Sequence, residues 1–248
     1  MTSPSASEPS PSTPGPSSSA PGPGSSPDAS GSSPSASGGD LAFVVQSIAR
    51  TAVDNERAFS DLDAVAGDGD FGYSLARGFE IVLADWADLV SDVPSDLLKN
   101  VALVISKRVG GTSGPLWGTA FLRASAAVRD RPEPTAADAV AMLRAAAEGI
   151  KARGKSDLGD KTLLDALIPM TDALEARLDD GGPPATAGEL AALAATTART
   201  AADATTPLQA RRGRQSYTGE RSIGSPDPGA VAVAVMAERV AAEWDARG

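Results

Sequence analysis

The chain has 248 residues, 42% hydrophobic but only 4% aromatic, a formal net charge of -10, no cysteine and no histidine. That charge argues against a nucleic-acid binder, which carries a basic footprint, and the missing cysteines exclude disulfides, thiolate metal sites and a thiol nucleophile. Without histidine the chain has no imidazole base, no phosphohistidine relay and no imidazole metal ligand, so any histidine chemistry must come from a partner.

An alanine-rich, aromatic-poor core favours closely packed helices over a β-sandwich. Residues 1–39 are almost all Ser, Pro, Gly, Ala and Thr, with Glu8 and Asp28 the charged exceptions. Such a segment buries too little apolar surface to offset its ordering entropy and is expected to be a disordered tail. It has neither the basic start nor the apolar stretch of a signal peptide, and no run approaches a membrane span. The expected organisation is a tail over 1–39 and one domain over 40–248, in a cytoplasmic protein that engages neither membrane nor nucleic acid.

From Asp40, a candidate helix cap, the period becomes helical. Leu41, Val44, Val45, Ile48 and Ala52 share one face of a helix running into the mid-fifties. A second helix is expected from Gly72 to Leu89 and a third from Ser95 or Asp96 to Val109. A fourth should cover Leu116–Arg129, after Gly110-Gly-Thr-Ser-Gly-Pro115, and a fifth Thr135–Ala152. The sixth carries Leu163, Leu167, Met170, Leu174 and Leu178, with Pro169 expected to kink it or open it locally. The seventh is Ala187–Ala204. A non-periodic loop then holds Arg211, Arg212, Arg214 and Arg221, and the last helix is Ala230–Asp245.

The pattern is all-α, with eight helices on mostly short links, which favours antiparallel neighbours. In an up-and-down run the breaks after the first, third, fifth and seventh helices fall at one end. These breaks are the chemically unusual ones: the aspartate loop, the Gly-Gly-Thr-Ser-Gly turn, the 154–160 turn and the arginine loop.

In the first of them Asp63, Asp68 and Asp70 crowd into eight positions with Gly67 and Gly69 between them. Carboxylates this close raise one another's pKa unless a cation lies among them. Oxygen donors on a glycine-containing turn suit Mg²⁺ or Ca²⁺, and the helix start near Gly72 would attract phosphate. Spacing alone leaves two readings open, a metal–phosphate site or an acidic surface loop ending in a cap; convergence by parity favours the first.

The remaining breaks divide in the same way. Thr112, Ser113 and the backbone near Gly114 read as a phosphate site at a helix start, or as a glycine-rich turn capped by Ser. Gly154 fits either a flat group such as adenine against the backbone or a helix C-cap. Asp160, before Lys161-Thr162, reads as a helix cap rather than a catalytic carboxylate. The loop arginines are cationic partners for phosphate on a segment long enough to cover a nucleotide, and Trp117 and Trp244 read as core.

Four segments in order resemble the nucleotide-binding L subunit (DhaL) of the dihydroxyacetone kinase family. They are Leu62-Asp63 with Gly67-Asp-Gly-Asp70, Gly110-Gly-Thr-Ser-Gly-Pro-Leu116, Gly159-Asp-Lys-Thr162, and Arg211–Gly224 ending in Asp227-Pro228-Gly229. The resemblance spans about 40–247 and implies an eight-helix antiparallel barrel with ADP or ATP at one end. It implies two Mg²⁺ ions on Asp63, Asp68 and Asp70, with nucleotide contacts at Gly72, Thr112, Ser113, Gly154, Arg214 and Asp227–Gly229, and Leu163 near the base. Relatives commonly carry His and Asn where this chain has Phe71 and Ser74, positions that fall in the same phosphate loop.

In that family the sugar is held on a histidine of a separate K-type subunit. The resemblance therefore implies a phosphotransferase that delivers its phosphoryl group to dihydroxyacetone or a related short ketose there. The donor is either ATP from solution or a phosphotransferase-system protein that re-phosphorylates bound ADP. Other acceptors, a tetrulose or an acyl carrier, and a nucleotide-dependent regulatory subunit without turnover are the alternatives.

Overall fold

A computed structural model describes residues 38–247 of the chain. The disorder expected of the tail therefore falls on residues outside this range, apart from Gly38 and Gly39, which open the first helix instead. The described residues form ten α-helices and no β-strand. They are α1 (Gly38–Asp54), α2 (Glu56–Asp63), α3 (Phe71–Ala84), α4 (Trp86–Leu89), α5 (Pro94–Arg108), α6 (Ser113–Ala127), α7 (Ala136–Gly154), α8 (Leu164–Asp179), α9 (Ala187–Asp203) and α10 (Pro228–Asp245).

Eight of these close a ring. Each of α1, α3, α5, α6, α7, α8, α9 and α10 packs on the next in that order, and α10 returns to α1. Apart from the closing α10/α1 pair, and with the short α2 and α4 set aside, ring neighbours follow one another in sequence, as an antiparallel up-and-down run requires. The short α2 and α4 stand outside the cycle. α2 continues α1 past a break at Asn55 and packs mainly on α3, while α4 extends the path beyond α3.

Local sequence sets the ends of these elements. Thr135 with Asp138 and Thr186 with Glu189 form capping boxes that start α7 and α9. Pro94 occupies the first turn of α5, and Pro228 that of α10 behind the Asp227 cap. Asp40 is not a cap, since α1 begins two residues earlier; it lies in the first turn and pairs with Arg247 at 2.9 Å. α8 runs unbroken through Pro169, whose missing N–H falls in its second turn.

Phe79, Leu75, Leu97, Ile105, Ile150 and Leu164 are fully buried between the helices. Trp117 meets the Phe79 ring edge-on at 6.5 Å, and Trp244 meets Phe43 at 5.6 Å, so both are packing residues. At the α1/α10 seam Glu243 accepts from Ser47 and Arg239, and at the α9/α10 seam Arg199 grips Glu238 at 2.7 Å. Alanine at so many inner positions leaves an apolar cavity of about 490 Å³, lined among others by Leu41, Ile48, Phe121, Leu143, Leu167 and Met236. None of the three aspartates of the 63–70 loop borders it. Among the described residues no helix is long and apolar enough to cross a membrane.

Candidate metal and phosphate site

The aspartate loop is built by its own first carboxylate. Asp63, buried at the last residue of α2, accepts from the N–H groups of Gly69 (3.0 Å) and Phe71 (3.4 Å), folding 64–70 into a tight turn. Gly67 is needed because a Cβ there would collide with that carboxylate, and Gly69 because the turn takes φ +75°. Ser60 accepts from the Tyr73 N–H at 3.1 Å, which sets the first turn of α3 over α2. The result brings one oxygen each of Asp63, Asp68 and Asp70 within 4.8 Å of one another.

Burial first, and then the adjacent Asp63 charge, raise the Asp70 carboxyl pKa. Like charges this close call for a cation, and here the Arg214 guanidinium supplies one, 2.8 Å from Asp70 and also in contact with Asp68. Arg214 is 144 positions away from Asp70 in sequence, at the start of a 3₁₀ segment, Arg214–Ser222, inside the stretch expected to be irregular. All-oxygen donors that already gather a positive group fit a hard divalent ion.

The other breaks close in on the same place. A Cβ on Gly111 would stand 3.5 Å from Arg214, and one on Gly110 would stand 3.1 Å from the Ser74 hydroxyl. Thr112 precedes α6 without a side-chain cap, and the two glycines before it lie beside Ser74 and Arg214, so α6 starts next to both. Leu116 in the first turn of α6 reaches Gly154 at the end of α7. Arg212 donates to the Lys155 carbonyl (2.6 Å), and the Arg211 amide donates to the Asp160 carbonyl (3.0 Å). Leu163 lies against Gly229, where a Cβ would be 3.2 Å away. The four breaks therefore meet at one end of the ring, as parity requires.

Several residues differ in detail from their expected roles. Phe71 packs its ring 6.1 Å from that of Phe59 and offers the loop only its N–H. Gly72 is buried where a Cβ would collide with the Glu56 carbonyl and stand 2.6 Å from the Ser60 nitrogen, so helix contact alone demands glycine there. The left-handed C-cap of α7 falls on Lys155, one residue past Gly154. Asp160 caps no helix; it accepts from the Asp157 N–H and pairs with Arg212 at 3.4 Å. Asp227 is buried, its carboxylate accepting from the Ala230 N–H (2.7 Å) at the start of α10. Burial pushes its pKa up to about 7.

Two buried charges were not singled out from sequence. Asp165 accepts from the Gly159 and Thr162 N–H groups, both at 2.6 Å, and so shapes the loop before α8. Lys161 is 1% exposed and donates to three backbone carbonyls. The signal for both was a charged pair, Lys161 and Asp165, set among apolar positions that all turn inward.

The chain is thus a helical domain that gathers three carboxylates, an arginine and a helix start at one end of a closed ring. The chain belongs to the DAK2 domain family, whose model matches residues 65–242. It is 38% identical over 180 residues to the ADP-binding subunit DhaL of the PEP-dependent dihydroxyacetone kinase of Escherichia coli, covering 73% of this chain and 84% of that one. It is 35% identical over 200 residues to the L-erythrulose 1-kinase of Mycolicibacterium smegmatis, which covers 79% of this chain but only 34% of that longer protein. The fold matches the dihydroxyacetone kinase of C. freundii at 22% identity, with TM-scores of 0.66 to the native form and 0.64 to the complex with AMP-PNP and Mg2+. Either match spans 92% of this chain and less than two fifths of that kinase.

Proposed function

We propose that this chain is the nucleotide-binding subunit of a dihydroxyacetone-type kinase. It holds ADP or ATP with magnesium and presents the phosphoryl group to a short ketose carried on a separate K-type subunit. The observation that carries this reading is the meeting of three carboxylates, Arg214 and the open end of α6 at one end of the ring. Family membership and the name of the 38%-identical relative point the same way.

Asp63, Asp68 and Asp70 hold the metal, as two ions. Bound magnesium would offset charge between these carboxylates and the phosphates and neutralise the transferring group. Asp63 keeps its two amide bonds and so fixes the loop around the ligand. Gly72 faces the phosphates with backbone only, Phe71 lies beside them with its N–H held by Asp63, and Ser74 supplies a hydroxyl. Thr112 and Ser113 with the first amides of α6 bind the phosphate at a helix N-terminus. Arg214 exchanges its carboxylate partners for phosphate oxygens, where a planar fork is most effective. Gly154, Leu163 and the Asp227–Gly229 turn frame the nucleoside. A chain without histidine offers no nucleophilic imidazole for the sugar carbonyl, so the ketose sits on the partner.

The DhaL relative's name, PEP-dependent and ADP-binding, favours re-phosphorylation of bound ADP, for which a phosphotransferase-system protein would be the donor, over exchange with ATP. A second acceptor, a tetrulose, is favoured by the L-erythrulose 1-kinase relative. Titrating ADP into the full chain by calorimetry, with and without Mg²⁺, tests the site. Binding should need the metal, and metal-independent binding of equal strength would overturn the assignment. Adding a K-type subunit with each donor and each sugar then identifies route and acceptor by which combination turns over.

A further inference from the structure

We infer that Lys161 is a positioning residue that fastens the arginine-bearing segment 205–225 over the site and thereby sets how long nucleotide stays bound. Its amine donates to the carbonyls of Leu208 (3.0 Å), Ser225 (2.7 Å) and Ser222. Those three acceptors lie before, at the end of and after the 3₁₀ segment that carries Arg214. One side chain from the loop ahead of α8 thus ties both flanks of the segment to the ring.

The surroundings are built for this. The backbone takes a left-handed turn at Lys161 (φ 62°), which few non-glycine residues adopt. A lysine 1% exposed is rarely found unless its charge is satisfied. Three carbonyls use all three of its donors, and the buried Asp227 carboxyl opposes the loss of charge that burial favours. Other ties hold the same segment. Ser222 accepts from the Ala210 N–H at 2.9 Å and donates to the Gly219 carbonyl, while the Gly224 N–H reaches the Thr206 carbonyl at 2.9 Å. The Arg211 N–H, bonded to the Asp160 carbonyl, and the Arg211 and Arg212 side chains, paired with the Asp160 carboxylate, also join the segment to the 157–165 loop; among the described residues Lys161 adds a fully buried side-chain tie. Lys161 meets none of the three aspartates, so its effect on ligand passes through Arg214.

The inference rests on the nucleotide reading for its functional half; its mechanical half is independent of any ligand. The test replaces the amine with a neutral chain of similar length, Lys161→Met, in the full protein. Amide hydrogen exchange of the ligand-free protein should quicken at least tenfold across 205–225, with α5 and α6 unchanged. Release of ADP in Mg²⁺ should quicken by a similar factor. Lys161→Gln, which keeps two N–H donors, should fall between the two and serves if the Met variant does not fold. Wild-type exchange in both variants overturns the fastening, and so does faster exchange spread evenly over the ring, which marks a general fold residue. Faster exchange in 205–225 with unchanged ADP release overturns the functional half alone. A wild-type protein that binds no ADP in Mg²⁺ defeats the nucleotide reading and with it that half, and the exchange result still decides the fastening.

Discussion

Asp68 and Asp63 divide two jobs that the sequence presents as one. The Asp68 side chain is 44% exposed and is paired with Arg214, whereas Asp63 is buried and holds two amides of its own loop. Asp68→Asn should therefore leave helix content and unfolding free energy within about 0.5 kcal/mol of wild type, while magnesium-dependent ADP affinity falls at least about tenfold, roughly 1.4 kcal/mol. Asp63→Asn should also destabilise the ligand-free protein, by about 1–3 kcal/mol, because amides lose a charged acceptor. Denaturant melts beside calorimetry separate the two. Equal stability losses would mean that the cluster is a fold device.

Asp227 makes a test of a different kind. Burial raises its pKa to about 7 in the folded chain, from 3.8. The folded state thus binds a proton that the unfolded state releases between those values. Stability from this group is fully present below about 4 and is lost as pH rises toward 7. In Asp227→Asn, which can still cap α10, that loss is absent. Relative to wild type the variant should gain on the order of 1 kcal/mol per pH unit between pH 4 and 7. Urea midpoints at three pH values would show it, and a difference independent of pH would rule it out.

Among the elements, the long helices were legible because Leu, Val and Ile recur at helical spacing over many turns. α2 was not, since Phe59 and Leu62 are its only large apolar residues and the break at Asn55 hides its link to α1. The expected Gly72–Leu89 helix is instead α3 and the short α4, divided at Asp85. The 3₁₀ segment Arg-Gln-Ser-Tyr-Thr-Gly-Glu-Arg-Ser has no apolar period to read. Parity of short links placed four breaks at one end without any of these details. It could not foresee which arginine meets the aspartates, because that pairing crosses most of the chain. Nor could spacing tell that Gly72 serves the α2/α3 contact. Gly72→Ala should force those helices apart and destabilise the ligand-free protein by about 1–3 kcal/mol. A thermal melt without nucleotide checks this; an unchanged melt with weakened ADP binding would return Gly72 to a ligand role.

At the scale of the whole molecule, an anion must approach a chain of net charge -10. Arg214 is already engaged by Asp68 and Asp70, so without metal the site end offers a diphosphate mostly repulsion. Unscreened, that repulsion grows as salt is removed, because the Debye length widens from about 8 Å at physiological salt to about 30 Å at 0.01 M. ADP affinity measured in a chelator should therefore be weak and should fall further at low ionic strength. With Mg²⁺ the entering complex is nearly neutral and the carboxylates become its ligands, so the dependence on salt should flatten or reverse sign. Binding isotherms at about 0.01 and 0.15 M salt, with and without metal, give four numbers that decide it. Parallel salt dependence in the two series would mean that the metal does not lie between the aspartates and the phosphates.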